Sequence, residues 1–100
     1  MMRSKFLSFL GLAKRSGNLL DGYNKCEETL GKRSVHLVIF SNEISAKSKD
    51  KFTKKCEKLN ISCIDGFSKE ELGASIGKKE INIVGITDKN MALKLLSYEL

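Results

Sequence analysis

Val35-His36-Leu37-Val38-Ile39-Phe40 is the stretch of sequence that decides the fold class. A short, uninterrupted run of β-branched and other apolar residues is typical of a strand that is buried on both faces of a sheet. Two further runs, over residues 61–64 and 81–87, have the same character, and residues 19–20 carry weaker strand character. The sequence therefore predicts three short buried strands and a fourth segment that resembles them less strongly.

The segments between these strands repeat their apolar residues every three or four positions, which is the period of an amphipathic helix. Ser4 is the expected N-cap of the first helix, and Gly17 lies just past its end. Ser68 and Glu71 have the spacing of a capping box, in which each side chain accepts a hydrogen bond from the other residue's backbone amide. The predicted helices cover residues 4–15, 22–32, 45–60 and 68–77, and a last helix follows Asp88.

Strands that alternate with helices predict an α/β fold, a three-layer α-β-α sandwich. Helices would connect neighbouring strands as crossovers, so a largely parallel sheet with helices on both faces is expected. The order of the strands does not follow from the pattern. The chain has no proline, no repeat and no low-complexity tract, so residues 1–100 are expected to form a single domain.

The composition speaks against several classes of protein. Hydrophobic residues make up 41% of the chain and charged residues 30%, as in ordinary globular proteins. No apolar run approaches the roughly 18 residues that cross a bilayer. The three cysteines are an odd number and form no Cys-x-x-Cys pair, which speaks against a disulfide framework and a structural zinc site. A cytoplasmic protein with reduced thiols is expected.

The net charge of +6 is unevenly distributed along the chain. Residues 1–33 carry seven basic and three acidic side chains, and residues 45–60 carry six lysines and two acidic side chains. Residues 61–100 are close to neutral. A basic surplus in two segments indicates a polyanionic partner, with nucleic acid ahead of an anionic membrane surface.

No group of residues has the pattern of a catalytic site or a metal site. His36 is the only histidine and lies within a predicted strand, where a structural role is the simpler interpretation. The carboxylates are scattered, and no nucleophile is placed beside a base. The chain is therefore expected not to be an enzyme and to need no cofactor or metal.

The helix predicted over residues 45–60 carries a stripe of lysines. At about 100° per residue, Phe52, Cys56 and Leu59 share one sector of this helix. The stripe is either a binding face for a polyanion or an ordinary solvated face, since a helix packed on a core places its charges outward in any case. Its members are Lys47, Lys51, Lys54 and Lys58.

The second predicted helix has an outward face of mixed chemistry. Gly22 at its start lets a phosphate or a base approach the free backbone amides. The alternative is an amphipathic helix that is stabilised by local Lys25–Glu28 and Glu28–Lys32 pairs, and the residues alone favour neither interpretation. The inward residues are Tyr23, Cys26 and Leu30, and the outward residues are Asn24, Glu28 and Lys32, with Lys25 beside them.

Three motifs carry a resemblance that covers nearly the whole chain. They are residues 10–17, which read Leu-Gly-Leu-Ala-Lys-Arg-Ser-Gly, then Gly22-Tyr23-Asn24, and residues 68–77, which read Ser-Lys-Glu-Glu-Leu-Gly-Ala-Ser-Ile-Gly. In these motifs the chain resembles the ribosomal L7Ae/L30e superfamily of kink-turn RNA-binding proteins, and within it the short bacterial YlxQ-type members. The resemblance implies an α-β-α sandwich around a mixed sheet of about four strands.

The resemblance also implies where RNA would be held. In the family, RNA contacts the start of the second helix and the loops beside it. Carried over by position, the implied residues are Gly22, Asn24, Lys25, Glu28 and Lys32 on the helix, Ser41 and Asn42 after the central strand, and Lys78, Lys79 and Glu80 before the last strand.

The chain departs from the family pattern around the second helix. Glu28 stands where the family generally has a lysine, and its carboxylate is expected to repel phosphate. Tyr23 replaces a small residue, and Asp21 adds a negative charge at the start of the helix.

The resemblance and the charge distribution together imply a non-catalytic RNA-binding protein, which recognises a kinked or internal-loop structured RNA and is associated with the ribosome. Its partners would be ribosomal RNA or another kink-turn-like RNA and a ribosome or other ribonucleoprotein, with no membrane. The alternative is a protein–protein adaptor on the same fold whose kink-turn site has been lost.

Overall fold

The computed structural model describes residues 2–32 and 34–99. Within these residues, none of the helices has the length and apolarity that crossing a membrane requires. The predicted α/β class is confirmed. The elements are α1 (Met2–Arg15), β1 (Leu19–Asp21), α2 (Tyr23–Thr29), β2 (Leu37–Ser41), α3 (Ala46–Leu59), β3 (Ser62–Phe67), α4 (Lys69–Ser75), β4 (Ile83–Ile86) and α5 (Lys89–Leu96).

The four strands form a mixed sheet in the order β1-β4-β2-β3. β2 and β3 are parallel, whereas β4 is antiparallel to both of its neighbours. The mixed sheet of four strands is confirmed, and the expectation of a largely parallel sheet is wrong. The physical reason is that α4 has only seven residues and, with the loop after it, returns the chain to the edge where β3 ended. β4 therefore runs back across the sheet.

Helices cover both faces of the sheet. Successive side chains of a strand point to opposite faces, and β2 is buried along its whole length. Leu37 and Ile39 pack in a core with residues of α1, α4 and α5, while Val38 and Phe40 pack in a second core with residues of α2 and α3. The three-layer sandwich therefore follows from a central strand that is apolar on both faces.

Most of the predicted helix starts are confirmed by their caps. The Ser45 hydroxyl accepts a hydrogen bond from the Ser48 amide, and the Asp88 carboxylate accepts one from the Met91 amide. Both bonds of the capping box at Ser68 are formed. Ser4 is an exception, because α1 begins at Met2 and Ser4 lies inside its first turn.

Two apolar residues that were expected to face inward are partly exposed. Leu59 is 46% exposed because it is the last residue of α3, and the chain turns away at Asn60, whose φ of 56° is left-handed. Tyr23 is 36% exposed. Its ring stands edge-on to Phe52, with 5.0 Å between the ring centroids, and the Nζ of Lys51 lies over the Tyr23 ring at 5.5 Å from its centroid.

Two glycines of the sequence motifs lie where the backbone of another segment comes close. A Cβ atom at Gly73 would lie 2.5 Å from the Cα of Glu80, and one at Gly11 would lie 2.9 Å from the carbonyl oxygen of Ser75. Gly11 thus permits the close contact between α1 and α4. Gly73 permits the loop between α4 and β4 to fold back against α4, which fixes the position of that loop.

We expect Gly73→Ala to lower the free energy of unfolding by about 1–3 kcal/mol, because backbone atoms of Glu80 must move to accommodate the methyl group. Urea unfolding measures the change. The matched control is Gly85→Ala, whose Cβ would lie 3.5 Å from the Sγ of Cys26, an ordinary contact. The control should change the free energy by less than about 1 kcal/mol. Equal losses in both variants would contradict the close approach at Gly73.

Candidate functional site

The ends of several strands meet at one edge of the sheet, which we call the loop edge. β1, β2 and β3 end there, and β4 begins there. The Gly22 amide donates a hydrogen bond of 3.0 Å to the carbonyl of Ile83, and the Ser41 amide donates one of 2.8 Å to the carbonyl of Asn82. These bonds hold the start of α2, the loop after β2 and the loop before β4 side by side.

A groove with a volume of about 530 Å³ opens between these three segments. Isoleucine side chains supply apolar surface, and serine, asparagine and glutamate side chains supply polar groups. Such a lining suits a planar group that has apolar faces and polar edges. The lining residues are Gly22, Tyr23, Glu43, Ile44, Ser45, Ser48, Ile81, Asn82 and Ile83.

The loop after β2 is held in place by hydrogen bonds of a buried serine, Ser41. Ser41 is 1% exposed. Its hydroxyl donates a hydrogen bond of 2.7 Å to the Oδ1 of Asn82 and accepts one of 3.2 Å from the Glu43 amide. Ser41 therefore positions the loop and presents no free hydroxyl to a ligand, whereas Asn42 is exposed.

Two charged residues of the loop before β4, Lys79 and Glu80, lie in different environments. Glu80 forms an ion pair with Lys69, with 3.2 Å between Oε2 and Nζ, and its backbone lies against Gly73. Lys79 is exposed and has no ion pair within the described part of the chain. Glu80 therefore helps to fix the loop, whereas Lys79 extends into solvent.

The first turn of α2 begins at a glycine and carries no side-chain cap among the described residues. Gly22 is the N-cap, with φ 98° and ψ 165°, a conformation that favours glycine. The amide of Gly22 itself is taken by Ile83. Asn24 and Lys25 follow on the exposed side of the first turn.

The second helix is shorter than predicted, which changes the position of Lys32. α2 ends at Thr29, because Leu30 is already extended and Gly31 has a φ of 88°. Lys32 therefore lies in the turn after the helix and not on its outward face. The placement of Lys32 on that face is wrong.

The local ion pairs considered for α2 are not formed. Lys25 turns toward Asp21, and Lys32 lies outside the helix. The Glu28 carboxylate is exposed and has no ion pair among residues 2–32 and 34–99. Its negative charge therefore faces solvent on the outer side of α2.

Asp21 gathers three lysines from three different segments. Its side chain is only 2% exposed. Lys14 of α1 and Lys78 of the loop before β4 approach Oδ2 at 2.9 Å and 3.1 Å, and Lys25 of α2 approaches Oδ1 at 2.8 Å. We call Lys14, Lys25 and Lys78 the lysine cluster. Asp21 therefore adds no free negative charge to the site, because three cations surround one carboxylate.

The pKa of Asp21 reflects this arrangement. The hydrogen bond from Lys25 is the largest influence and holds the pKa well below its ordinary value, while burial acts in the opposite direction. Hydrogen bonds from Lys14 and Lys78 lower the pKa further. Asp21 in turn raises the pKa of Lys25. Asp21 and Lys25 therefore both stay charged across the neutral pH range.

The lysine stripe on α3 is partly neutralised. Lys51 forms an ion pair with Glu27, whose pKa it lowers, and donates a hydrogen bond of 3.1 Å to the hydroxyl of Tyr23. Lys54 pairs with Asp50 at 3.0 Å. Lys47 and Lys58 are exposed and have no ion pair within the described residues. The stripe therefore carries less free charge than the sequence suggested.

Several residues at the loop edge were not predicted from the sequence, among them Ile44, Asn82 and Lys14. Asn82 is exposed at the groove between the buried residues Ile81 and Ile83, and its position as a polar residue inside an apolar run was the available signal. Lys14 belongs to the lysine cluster, but its distance along the chain from Lys78 gave no indication that they would meet.

The fold and this loop edge define a small α-β-α protein whose central strands end at a groove with lysines beside it. The chain belongs to the ribosomal protein L7Ae/L30e/S12e/Gadd45 family, whose sequence model matches residues 4–96. The predicted resemblance is thereby confirmed.

Two curated relatives carry the name RNA-binding protein YlxQ. The protein from Enterococcus faecium is 29% identical over 92 residues, which cover 92% of this chain and 88% of the relative. The protein from Bacillus subtilis (strain 168) is 29% identical over 97 residues, which cover 97% of each chain. These relatives are named as binding proteins and not as enzymes, in agreement with the predicted lack of catalysis.

A solved structure from Bacillus halodurans, described as a protein of unknown function, has the same fold. It superposes with a TM-score of 0.89 at 33% sequence identity, and the match covers 93% of this chain and 94% of that one.

We expect Asp21→Asn to lower the free energy of unfolding at neutral pH by about 1–3 kcal/mol, because charged hydrogen bonds to a buried carboxylate are lost. The folded-state pKa of Asp21 lies below its ordinary value of 3.8, so its contribution is fully present above that pH and declines as the pH falls. The gap between wild type and variant should therefore narrow by up to about 1.4 kcal/mol per pH unit below that value.

Urea unfolding from pH 7 down to pH 2.5 measures this gap. The comparison with Asp21→Asn isolates Asp21 from the other carboxylates, such as Glu71, whose pKa is also lowered. A gap that stays constant over the acidic range would show that the charge of Asp21 contributes nothing to stability.

Proposed function

We propose that residues 1–100 form one RNA-binding domain, which holds structured RNA at the loop edge and recognises a kink or an internal loop. Membership of a family of ribosomal proteins and the names of the two relatives support RNA as the ligand. The observation that carries the proposal is the convergence of three separate segments on one groove, with the lysine cluster next to it.

The groove would bind a base of the RNA, and the residues around it would bind the edge of that base and a phosphate. A nucleotide that is unstacked by a kink exposes its faces and its hydrogen-bonding edge, and single-stranded or bulged bases are the usual targets of sequence-specific RNA readers. The groove would receive such a base between Ile44 and Ile81. The Asn24 amide offers a donor and an acceptor, and Lys79 offers its charge to a phosphate.

The RNA that fits this description is ribosomal RNA or another RNA with a kink-turn-like bend. Binding would therefore occur on a ribosome, on one of its assembly intermediates or on another ribonucleoprotein. The family's ribosomal proteins support this assignment.

Titration of the protein with a kinked RNA and a straight duplex of equal length, across a salt series, tests the proposal. We expect tighter binding to the kinked RNA that persists at high salt, because the groove contacts a base and not only phosphates. Equal affinities with a steep salt dependence would mean that the lysines act alone, since counterion release is independent of shape.

A pair of double variants tests the location of the site. Asn24→Ala combined with Lys79→Ala removes one amide and one lysine from the loop edge, and both residues are exposed. Asn90→Ala combined with Lys89→Ala removes the same two groups from the start of α5, at the opposite edge of the sheet. The first variant should weaken binding to the kinked RNA about tenfold or more, and the second should leave it within about twofold.

We expect Glu28→Lys to strengthen binding to the kinked RNA, because the exposed carboxylate of Glu28 on the outer side of α2 repels phosphate. The increase should be about 3–30-fold at low salt and should shrink as salt is added. Glu57→Lys is the matched control, because it makes the same charge change at the far end of α3. An equal gain in both variants would show that net charge, and not the position of Glu28, sets the affinity.

A protein–protein adaptor is the second candidate function, and a different surface favours it. A groove of about 460 Å³ on the outer side of α1 has the apolar residues Phe9, Leu12 and Tyr98 in its lining, with Lys5 and Arg15 beside them. Leu12 is 42% exposed. Absence of binding to both the kinked RNA and the straight duplex would favour this function.

A further inference from the structure

We propose that Lys14, Lys25 and Lys78, held together by Asp21, form a binding site for a single RNA backbone phosphate. The inference rests on the proposed function and adds Lys14, which lies on α1 outside the three segments of the groove. Asp21 acts as a positioning residue in this site, because it touches the lysines and not the RNA.

The distances set how close the three ammonium groups are. Lys14 and Lys78 both bind Oδ2 of Asp21, at 2.9 Å and 3.1 Å, so their nitrogens are separated by no more than two hydrogen-bond lengths, roughly 6 Å. Lys25 binds the other oxygen at 2.8 Å. Three like charges would not stay this close without the carboxylate, because their mutual repulsion would drive the flexible side chains apart.

The lysines keep donors for a second anion. An ammonium group has three N–H donors, and each lysine uses one of them on Asp21. The side chains of Lys14, Lys25 and Lys78 are 37%, 62% and 47% exposed, whereas that of Asp21 is 2% exposed. The carboxylate is thus shielded from solvent, while each of the three lysine side chains is accessible to a ligand from outside. A phosphate, with its two non-bridging oxygens, can bridge such neighbouring ammonium groups.

The charge balance favours one phosphate. Three positive charges surround one buried negative charge, so the cluster retains positive charge in excess. A backbone phosphate carries a single negative charge. The excess positive charge of the cluster attracts it, and the lysines do not have to release Asp21 to bind it. A free carboxylate would repel the phosphate, but this one is already compensated by its three partners.

The position of the cluster relates this phosphate to the groove. Lys25 lies on the first turn of α2, whose N-cap Gly22 lines the groove. Lys78 lies four residues before Asn82, which lines the groove from the other side. Lys14 reaches the same point from the end of α1. A phosphate at the cluster would therefore belong to the strand that enters or leaves the groove.

Lys14→Gln tests the site, with Lys5→Gln as the matched control on the same helix. Lys5 is exposed and lies outside the cluster. For the kinked RNA, Lys14→Gln should weaken binding about 3–10-fold and reduce the slope of log K against log salt, by no more than the roughly 0.7–0.9 that loss of a whole phosphate contact would cause. Lys5→Gln should change neither.

Acylation of the wild-type protein with an N-hydroxysuccinimide ester supplies a readout that a purely structural role would not change. Saturating kinked RNA should slow the modification of Lys14 severalfold and leave that of Lys5 unchanged, as followed by mass spectrometry. Both rates are compared with those of the protein alone, in which Lys14 is already bound to Asp21.

The outcomes separate this inference from the proposed function. Tight binding to kinked RNA with Lys14 and Lys5 indistinguishable in both assays overturns the phosphate site and leaves the proposed function standing. Binding that depends on Lys14 but does not prefer the kinked RNA supports the phosphate site and overturns the recognition of a kink. No binding to either RNA overturns both.

Discussion

The antiparallel insertion of β4 between β1 and β2 is the constraint on which the rest of the structure depends. The other three strands run in one direction, so the start of β4 meets their ends at the loop edge. If β4 ran parallel to its neighbours, it would begin at the opposite edge of the sheet. That edge is one strand length away, which for the four residues of β4 is roughly 13 Å. The loop that carries Lys78, Lys79 and Asn82 would then lie far from α2, and no groove would form between them.

Asp21 links this architecture to the chemistry of the site. A buried carboxylate is costly unless charged partners and hydrogen bonds compensate for its lost hydration. Here Lys14, Lys25 and Lys78 supply that compensation from α1, α2 and the loop before β4. The same contacts that stabilise the folded chain therefore collect positive charge beside the groove. In the proposed phosphate site, stability and recognition would share this cluster, so a change at Asp21 would act on both.

The sequence motifs have a physical explanation in close approaches of the backbone. Gly11 lets α1 lie against α4, and Gly73 lets the chain at Glu80 fold back onto α4. This return fixes the loop whose residues line the groove, although neither glycine lies in the groove. The lysines of α3 that are conspicuous in the sequence are partly paired with acids, whereas Glu28 has no ion pair among the residues that the structure describes.

The sequence by itself determined the class of fold, most of the helix caps and the family, because these depend on local periodicity, on hydrogen bonds within a few residues and on short motifs. Residues 35–40 predicted a strand buried on both faces, and Ser68 and Glu71 predicted their capping box. Gly22, Asn24 and the loops after β2 and α4 were also predicted to lie together, through the family resemblance. Only the tertiary structure decided the direction of β4, the end of α2 before Lys32 and the partners of each charge. These features depend on contacts between residues far apart in the chain, such as Lys14 and Lys78 on Asp21, and a local pattern contains no information about which distant charge a flexible lysine will meet.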